Sequence, residues 1–482
     1  MAETGLRGKM SPLDLMIVLV ISLGSFMAGL DATIVNIALP SIARAFDVST
    51  VTASWVLNAY LIILVSLLLA SSRLGDIKGY RSVYITGFVV FTLGSAFCGL
   101  APGITELIAA RMLQAIGGAV IAALGAVMVT SYLSPSQRGQ ALGIVAMFTM
   151  LGAALGPVFG GFLTSALSWR FIFYVNLPVG VLAILLGIHF LPRKSPVAPG
   201  AKLDIPGVVL VFLALSTLIF GLTALQGPDG AIGAAALLAS GVCWGLFVIR
   251  ERRAPEPLIN LALFSNRQFT LQNLNVMFIQ MAMAGVMVLM PFYLEMVKHL
   301  STDNSGTVLL ALPIGMILTS MPAGRISDVI GTKKPIILGF AIGALALLLI
   351  STLGVHSSIG HVAVYLFLLG AGSGFAYAPL NSAVMGESPE KERGMTSGLI
   401  KMMTNMGSSL GVALVMLVAT AAIGPKLVHA SAHTLPAADL VGGFHAAFLF
   451  LMGIEVLGIL LMLPVREKEV AYSTEGEPVT AF

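Results

Sequence analysis

The sequence predicts an all-α membrane protein with fourteen transmembrane helices. Three observations carry that reading: the composition, the spacing of the apolar runs and the placement of the basic residues. Of 482 residues, 57% are hydrophobic and 10% charged, where a soluble domain carries about 25% charged. The mean hydropathy is +0.97. A soluble globule of this length needs a charged shell, which 26 basic and 22 acidic side chains cannot supply. Soluble, disordered and coiled-coil readings are thereby excluded. The net charge of +4 is no nucleic-acid footprint, because the basic residues sit between apolar runs. Cys98 and Cys243 both lie inside such runs, so neither a disulfide framework nor a zinc site follows from them.

A helix crosses a hydrocarbon core of about 30 Å in about 20 residues. Fourteen stretches qualify, each bounded by charge, Pro or Gly. Helices 1 to 6 are predicted at 13–43, 51–72, 81–101, 105–133, 138–166 and 171–191. Helices 7 and 8 follow at 205–226 and 231–250. Helices 9 to 14 are predicted at 268–297, 305–327, 333–354, 359–386, 394–424 and 440–464. These runs are apolar all round and lack the ten-residue alternation of barrel strands. The first run is too long for a cleaved signal, holds Asp31 and lacks a small-residue cleavage site.

Basic residues orient the chain. With the N-terminus inside, the inner segments hold twenty of the 26, from Arg7 and Lys9 through Arg73, Lys78 and Arg81 to Arg466 and Lys468. The outer segments hold Arg44, Arg170, Lys298 and Lys426, and only Arg111 and Lys401 fall within spans. A miscounted span would invert the rest of the chain and blur this bias, so it supports the count as well as the orientation.

The chain also repeats itself. Arg138-Gly139 with Gly143, Gly152 and Gly156 recurs 255 residues on as Arg393-Gly394 with Gly398, Gly407 and Gly411. Asp76, Gly79 and Arg81 recur 252 residues on as Asp328, Gly331 and Lys333. The register is eight helices, an even number, so the copies run in the same direction, as in transporters built from two parallel six-helix repeats. The domains expected are 1–193, a linker with the inserted helices 7 and 8 at 194–262, a second bundle at 263–466 and a tail at 467–482.

The motifs resemble those of the major facilitator superfamily, in its fourteen-helix drug:proton antiporter branch. Ser72-Arg73-Leu74-Gly75-Asp76-Ile77-Lys78-Gly79-Tyr80-Arg81 is similar to the superfamily's loop signature, with Ser72 in place of its first glycine. The copy from Gly324 to Lys334, with Asp328 and Lys333, fits better. Gly152-Ala153-Ala154-Leu155-Gly156-Pro157, followed by Gly160-Gly161, resembles the exporters' antiporter motif. Small residues four apart let helices approach closely, and Pro157 invites a bend, which makes a seam on which two halves can rock. Leu30-Asp31-Ala32-Thr33 through Pro40 resembles the first-helix signature. Leu107, Arg111, Gln114, Gly117 and Gly118 resemble the fourth, and Trp169-Arg170 through Asn176-Leu177-Pro178 resembles the helix 5–6 junction. The resemblance implies a 6 + 2 + 6 major facilitator fold, with Asp76, Arg81, Asp328, Lys333, Gly156 and Pro157 as gating elements.

Ionisable residues within spans are functional candidates by default. Asp31 in helix 1 and Arg111 in helix 4 reach compatible depths, so contact between them is expected. Paired, Asp31 stays ionised; separated in a dry cavity, it takes up a proton. That titration switch couples export to proton entry, and a static packing pair is its rival. Glu295, near the end of helix 9, is either a second proton or cation site or an interfacial acid beside Lys298. Lys401 in helix 13 and Glu455 in helix 14 share a depth and are expected to form a structural salt bridge. Asn58, Tyr60, Tyr377, Asn381 and Met281 are candidate substrate-cavity residues, each with a plain packing alternative. His429 and His433 lie four apart without a third ligand, so no metal is expected, and no cofactor. No P-loop appears, and no nucleophile–base cluster shares one depth, so an enzyme is not expected.

Taken with the resemblance, these residues imply proton-driven export of amphipathic or cationic compounds by a monomer in the cell membrane, with both termini cytoplasmic. Its partners would be small-molecule substrates, protons and the lipid bilayer. The alternatives are a proton-coupled exporter of one endogenous metabolite, lipid or siderophore and, more remotely, a non-transporting receptor.

Overall fold

The structure is a computed structural model that describes residues 10–197, 203–225, 230–254, 257–389, 393–423 and 437–465. His429 and His433 lie outside these residues. The described residues contain fourteen helices long and apolar enough to cross a membrane. In order they are Pro12–Phe46, Thr50–Lys78, Tyr80–Leu100, Ile104–Tyr132, Gln140–Ala166, Phe171–Phe190, Ile205–Ala224, Gly230–Arg253, Arg267–Val297, Thr302–Ile330, Lys333–Ile350, Ile359–Gly386, Met395–Ile423 and Leu440–Met462. The numbering helix 1 to helix 14 is kept for these spans.

Local chemistry sets the helix ends. Ser11 and Asp14 form a capping box at the start of helix 1, with Pro12 in the first turn. Ser134 and Gln137 form another at Pro135, where helix 5 begins ahead of its apolar stretch. Such boxes satisfy amides that have no partner within the helix. The two boxes touch, because Gln137 Nε2 donates to Asp14 Oδ2 at 3.3 Å. Helices 2 and 10 outrun the predicted spans, which end at 72 and 327. Their charged last turns stay helical until Gly79 and Gly331, whose φ angles of 88° and 84° end them. An L side chain is strained in that backbone region. Hydropathy marks the lipid-covered part of a helix and misses a charged turn beyond it.

By contacts the chain divides into two units. The first comprises residues 1–218, 235–258 and 301–306. In it helix 1 packs on helix 5, helix 4 on helices 2 and 3, and helix 6 on helices 1 and 3. Helix 7 is tied to helix 8 by Ser240 Oγ donating to the Ala214 carbonyl at 2.8 Å. Arg250 adds two bonds to Asp204 Oδ1, at 3.1 Å from Nε and 3.0 Å from Nη2. The second unit comprises residues 219–234, 259–300 and 307–482. There helix 9 packs on helix 13, helix 12 on helices 10 and 11, and helix 14 on helices 9, 11 and 13. This is the pairing scheme of the first unit, shifted by eight helices. Helix 9 is the most enclosed span, 78% of its apolar window being buried, and helix 8 the least, at 17%. Leu238, Val242, Leu246 and Ile249 of helix 8 are exposed, an apolar face suited to lipid.

Candidate functional site

Five helices of the first unit converge on Asp31 and Arg111, which are 0% and 1% exposed. Arg111 Nη1 donates to both carboxylate oxygens, at 3.0 Å to Oδ1 and 2.9 Å to Oδ2. Its Nε donates to the Val56 carbonyl of helix 2 at 3.2 Å. Nη1 also reaches Gln114 Oε1 at 2.5 Å, and Gln114 Nε2 donates to Asp31 Oδ1 at 3.1 Å. The guanidinium Cζ lies over the Tyr60 ring, 4.0 Å from its centroid. Gly118 makes room for that phenol, since a Cβ there would lie 2.6 Å from the Tyr60 hydroxyl. Beyond the pair, Ser95 Oγ of helix 3 accepts from Gln114 Nε2 at 2.7 Å and from Asn176 Nδ2 of helix 6 at 3.1 Å.

The expected contact is therefore made, within a larger network. Gln114, Ser95 and Asn176, all fully buried, complete it and were not among the predicted site residues. Gln114 and Asn176 belong to the fourth-helix and junction motifs, whereas the one sequence signal of Ser95 was a lone hydroxyl inside an apolar span. One guanidinium nitrogen bridges the carboxylate, while Nε is spent on helix 2. Arg111 thus keeps protein partners that do not involve Asp31.

The glycines Gly152, Gly156 and Gly160 of helix 5 lie along helix 1. Gly152 faces the Phe26 carbonyl and Leu30 amide, Gly156 faces Thr33 and Ile34, and Gly160 faces Ile34 and Ile37. Thr33 Oγ1 donates across this seam to the Ala153 carbonyl at 3.0 Å. The seam thus runs between two helices of one unit, beside Asp31.

In the loop motifs, Asp76 Oδ1 accepts from Tyr80 Oη at 2.6 Å, and Asp328 is exposed. Arg81 Nη2 donates to the Ile188 carbonyl in the last turn of helix 6 at 2.5 Å. Lys333 Nζ donates to the Leu463 carbonyl just after helix 14 at 2.8 Å. Each basic residue thus caps the final helix of its own half, where a cation favours the carbonyl end of the helix dipole.

In the second unit, Glu295 is buried within a π-helical turn, Tyr293–Val297. Lys298 Nζ donates to the Val355 carbonyl at 2.7 Å. Tyr377 Oη meets Thr404 Oγ1 at 3.3 Å, and Asn381 Nδ2 returns to the Tyr377 carbonyl at 2.8 Å. Met281 is buried where Gly411 abuts its backbone. Asn58 is buried, and its Oδ1 has no hydrogen-bond partner among the described residues. The expected salt bridge between Lys401 and Glu455 is not formed. Lys401 is exposed, whereas Glu455 is 2% exposed and faces Gly343 of helix 11. Equal depth on neighbouring helices does not fix which way each side chain points around its helix.

A sequence profile described as the Major Facilitator Superfamily matches residues 21–412 and 273–481. The chain belongs to the major facilitator superfamily. Among its relatives in the superfamily is the riboflavin transporter RibZ of Clostridioides difficile, 31% identical over 82% of this chain and 86% of that protein. The multidrug transporter protein MdtP of Bacillus subtilis is 30% identical over 87% and 78%. The multidrug resistance protein Stp of Mycobacterium tuberculosis is 30% identical over 84% and 76%. A bacterial homologue of the lysosomal transporter Spinster shares the fold, with a TM-score of 0.68 at 14% identity over 94% of this chain and 97% of its own. The POT family transporter PepTSo does likewise, with a TM-score of 0.66 at 14% identity over the same shares. The superfamily assignment makes the protein a multi-pass membrane transporter of small molecules, and not an enzyme.

Proposed function

We propose that the protein exports amphipathic or cationic compounds from the cell in exchange for protons, with both termini on the cytoplasmic side. The observation that carries this reading is a carboxylate, Asp31, enclosed beside a guanidinium that has other partners. Arg111 keeps its charge at any physiological pH. When Asp31 takes a proton, the Val56 carbonyl, Gln114 Oε1 and the Tyr60 face still attend the cation. Charge-assisted hydrogen bonds contribute about 1.5–3 kcal/mol each, and a desolvated cation–π contact about 2 kcal/mol. The ion pair can therefore open at its acidic side without leaving Arg111 unattended. A cation and a proton cannot share one carboxylate, and that exclusion is the basis of exchange.

In this proposal Asn58, Tyr60, Tyr377, Asn381 and Met281 contact substrate, and Glu295 adds a second proton or cation site. Alternating access comes from the two six-helix halves. Gly156 and Pro157 flex helix 5, and the Asp76–Arg81 and Asp328–Lys333 loops act as gates. A second reading, a carrier for one metabolite, draws support from the similarity to a riboflavin transporter.

Proteoliposomes with an imposed proton gradient and a pH-sensitive interior dye test both. Lipophilic cations are expected to trigger proton movement, and Asp31→Asn to reduce it at least tenfold while the protein stays monodisperse and helical. Wild-type pumping by Asp31→Asn against a gradient overturns the coupling role. Proton movement triggered by riboflavin, with none by cations, favours the second reading.

A further inference from the structure

Glu455 is absorbed by neither the central network nor the loop motifs. It lies seven residues before Met462, the last residue of helix 14, and Gly343 lies ten residues into helix 11. At 1.5 Å per residue both are roughly 10–15 Å from the ends that carry Lys333 and Leu463, close to the middle of a core about 30 Å thick. The carboxyl fits a slot that glycine leaves. A Cβ on Gly343 would lie 2.9 Å from Glu455 Oε2. Behind it, helix 12 presses Gly372 onto the Gly343 backbone, so the slot has no slack on that side. In the first half the position 252 residues earlier is Phe91, a buried ring. The second half thus has a glycine and a carboxyl where the first packs an aromatic side chain.

Among the described residues, no bonded counter-charge meets Glu455. Glu455 Oε1 is buried without a hydrogen-bond partner among the described residues. Helix 14 packs against helices 9, 11 and 13 and the π-turn. Their charged groups are Lys333 and Lys334 at the start of helix 11, Arg267 at the start of helix 9, Glu295 in the π-turn and the exposed Lys401 of helix 13. None is bonded to Glu455. His445 of helix 14 itself is spent on the Leu353 carbonyl at 2.8 Å. A carboxylate removed from water without a partner takes up a proton instead of keeping its charge.

We infer that the Glu455 carboxyl is a further proton-binding site, held as the neutral acid in the Gly343 slot and separate from both Asp31 and Glu295. Its part in transport rests on the proton-coupled reading above; its protonation does not.

Membrane-soluble dicyclohexylcarbodiimide tests the protonation on the unaltered full chain. The acid adds across the reagent: its proton goes to one nitrogen and its oxygen to the central carbon. Acyl transfer to nitrogen then leaves a stable N-acylurea, with nothing expelled. At neutral pH, peptide mass spectrometry is expected to show Glu455 modified at least tenfold faster by this reagent than by a water-soluble carbodiimide. Exposed Asp328 should show the opposite preference. Gly343→Val, which fills the slot, should cut Glu455 modification at least tenfold. An unmodified Glu455 in the native protein, with the same peptide modified after unfolding, overturns the inference. For transport, Glu455→Gln should lower substrate-driven proton flux at least threefold while substrate binding is retained. Unchanged flux overturns the transport role. A wild-type result from Asp31→Asn bears only on the central site, and a missing Glu455 adduct only on this one.

Discussion

Gly117 in helix 4 abuts the Gly87 carbonyl and the Phe91 amide of helix 3; Gly372 in helix 12 abuts the Gly339 carbonyl and the Gly343 amide of helix 11. Gly152 faces the Phe26 carbonyl as Gly407 faces that of Met277. These backbone contacts put the two halves in register, at 255 residues for helix 4, 252 for helix 3 and 251 for helix 1. The same registers set Leu366 against Arg111, Leu369 against Gln114, Leu347 against Ser95 and Ala282 against Asp31. All four second-half residues are fully buried. At these four positions, one scaffold therefore encloses a charged network in its first half and plain hydrocarbon in its second. The six-helix arrangement does not need the ion pair, and a buried pair is often no more stable than apolar residues of similar volume. Its presence in one half only is what argues for function.

The largest expected effect comes from breaking that asymmetry unevenly. Arg111→Leu alone leaves Asp31 enclosed without its counter-charge and is expected to cost about 3–5 kcal/mol, read as a loss of thermal stability in detergent. Grafting the second half's residues together (Asp31→Ala, Ser95→Leu, Arg111→Leu and Gln114→Leu) should recover at least about 3 kcal/mol of that loss, and transport should still be absent. A grafted protein as unstable as the single variant would make the network a packing requirement of the first half.

The same comparison shows how much was legible beforehand. Fourteen spans, the internal repeat and the Asp31–Arg111 contact follow from hydropathy, residue offsets and depth, because those quantities run along a helix axis. What was missed depends on rotation about that axis. Successive residues turn by about 100°, so Lys401 and Glu455 share a depth and face different neighbours. Gln114, Ser95 and Asn176 converge only once three helices are fixed in azimuth. The acceptors of Arg81 and Lys333 are backbone carbonyls, which no residue type announces.

The next effect in size concerns the loop glycines. Gly79 has φ 88° and ψ 132°, and Gly331 has φ 84° and ψ 167°. Alanine in such a region costs of order 1–3 kcal/mol. Gly79→Ala and Gly331→Ala should each lower the unfolding temperature to a similar degree, since the backbone demand recurs while the surrounding sequence differs. Tolerance of one substitution alone would show that the repeat has diverged at its turn.

The smallest expected effect separates the two caps. Arg81 and Lys333 are both half-buried, yet Arg81 also carries an enclosed Nε without a hydrogen-bond partner among the described residues. Lys333 holds its carbonyl by a single flexible ammonium. A cation at a helix C-terminus contributes about 0.3–1 kcal/mol at low salt, and about 1 M salt shortens the screening length to roughly 3 Å. Lys333→Ala should therefore destabilise by a few tenths of a kcal/mol in dilute buffer and by nothing measurable in 1 M salt. Arg81→Ala should cost about 1 kcal/mol and keep most of that cost in salt, because its stem packs as well as its charge. Arg81→Lys preserves the bond and removes the enclosed Nε, so it should match the wild type. Equal salt sensitivity of Arg81→Ala and Lys333→Ala would show that both are surface charges and that the two halves end alike.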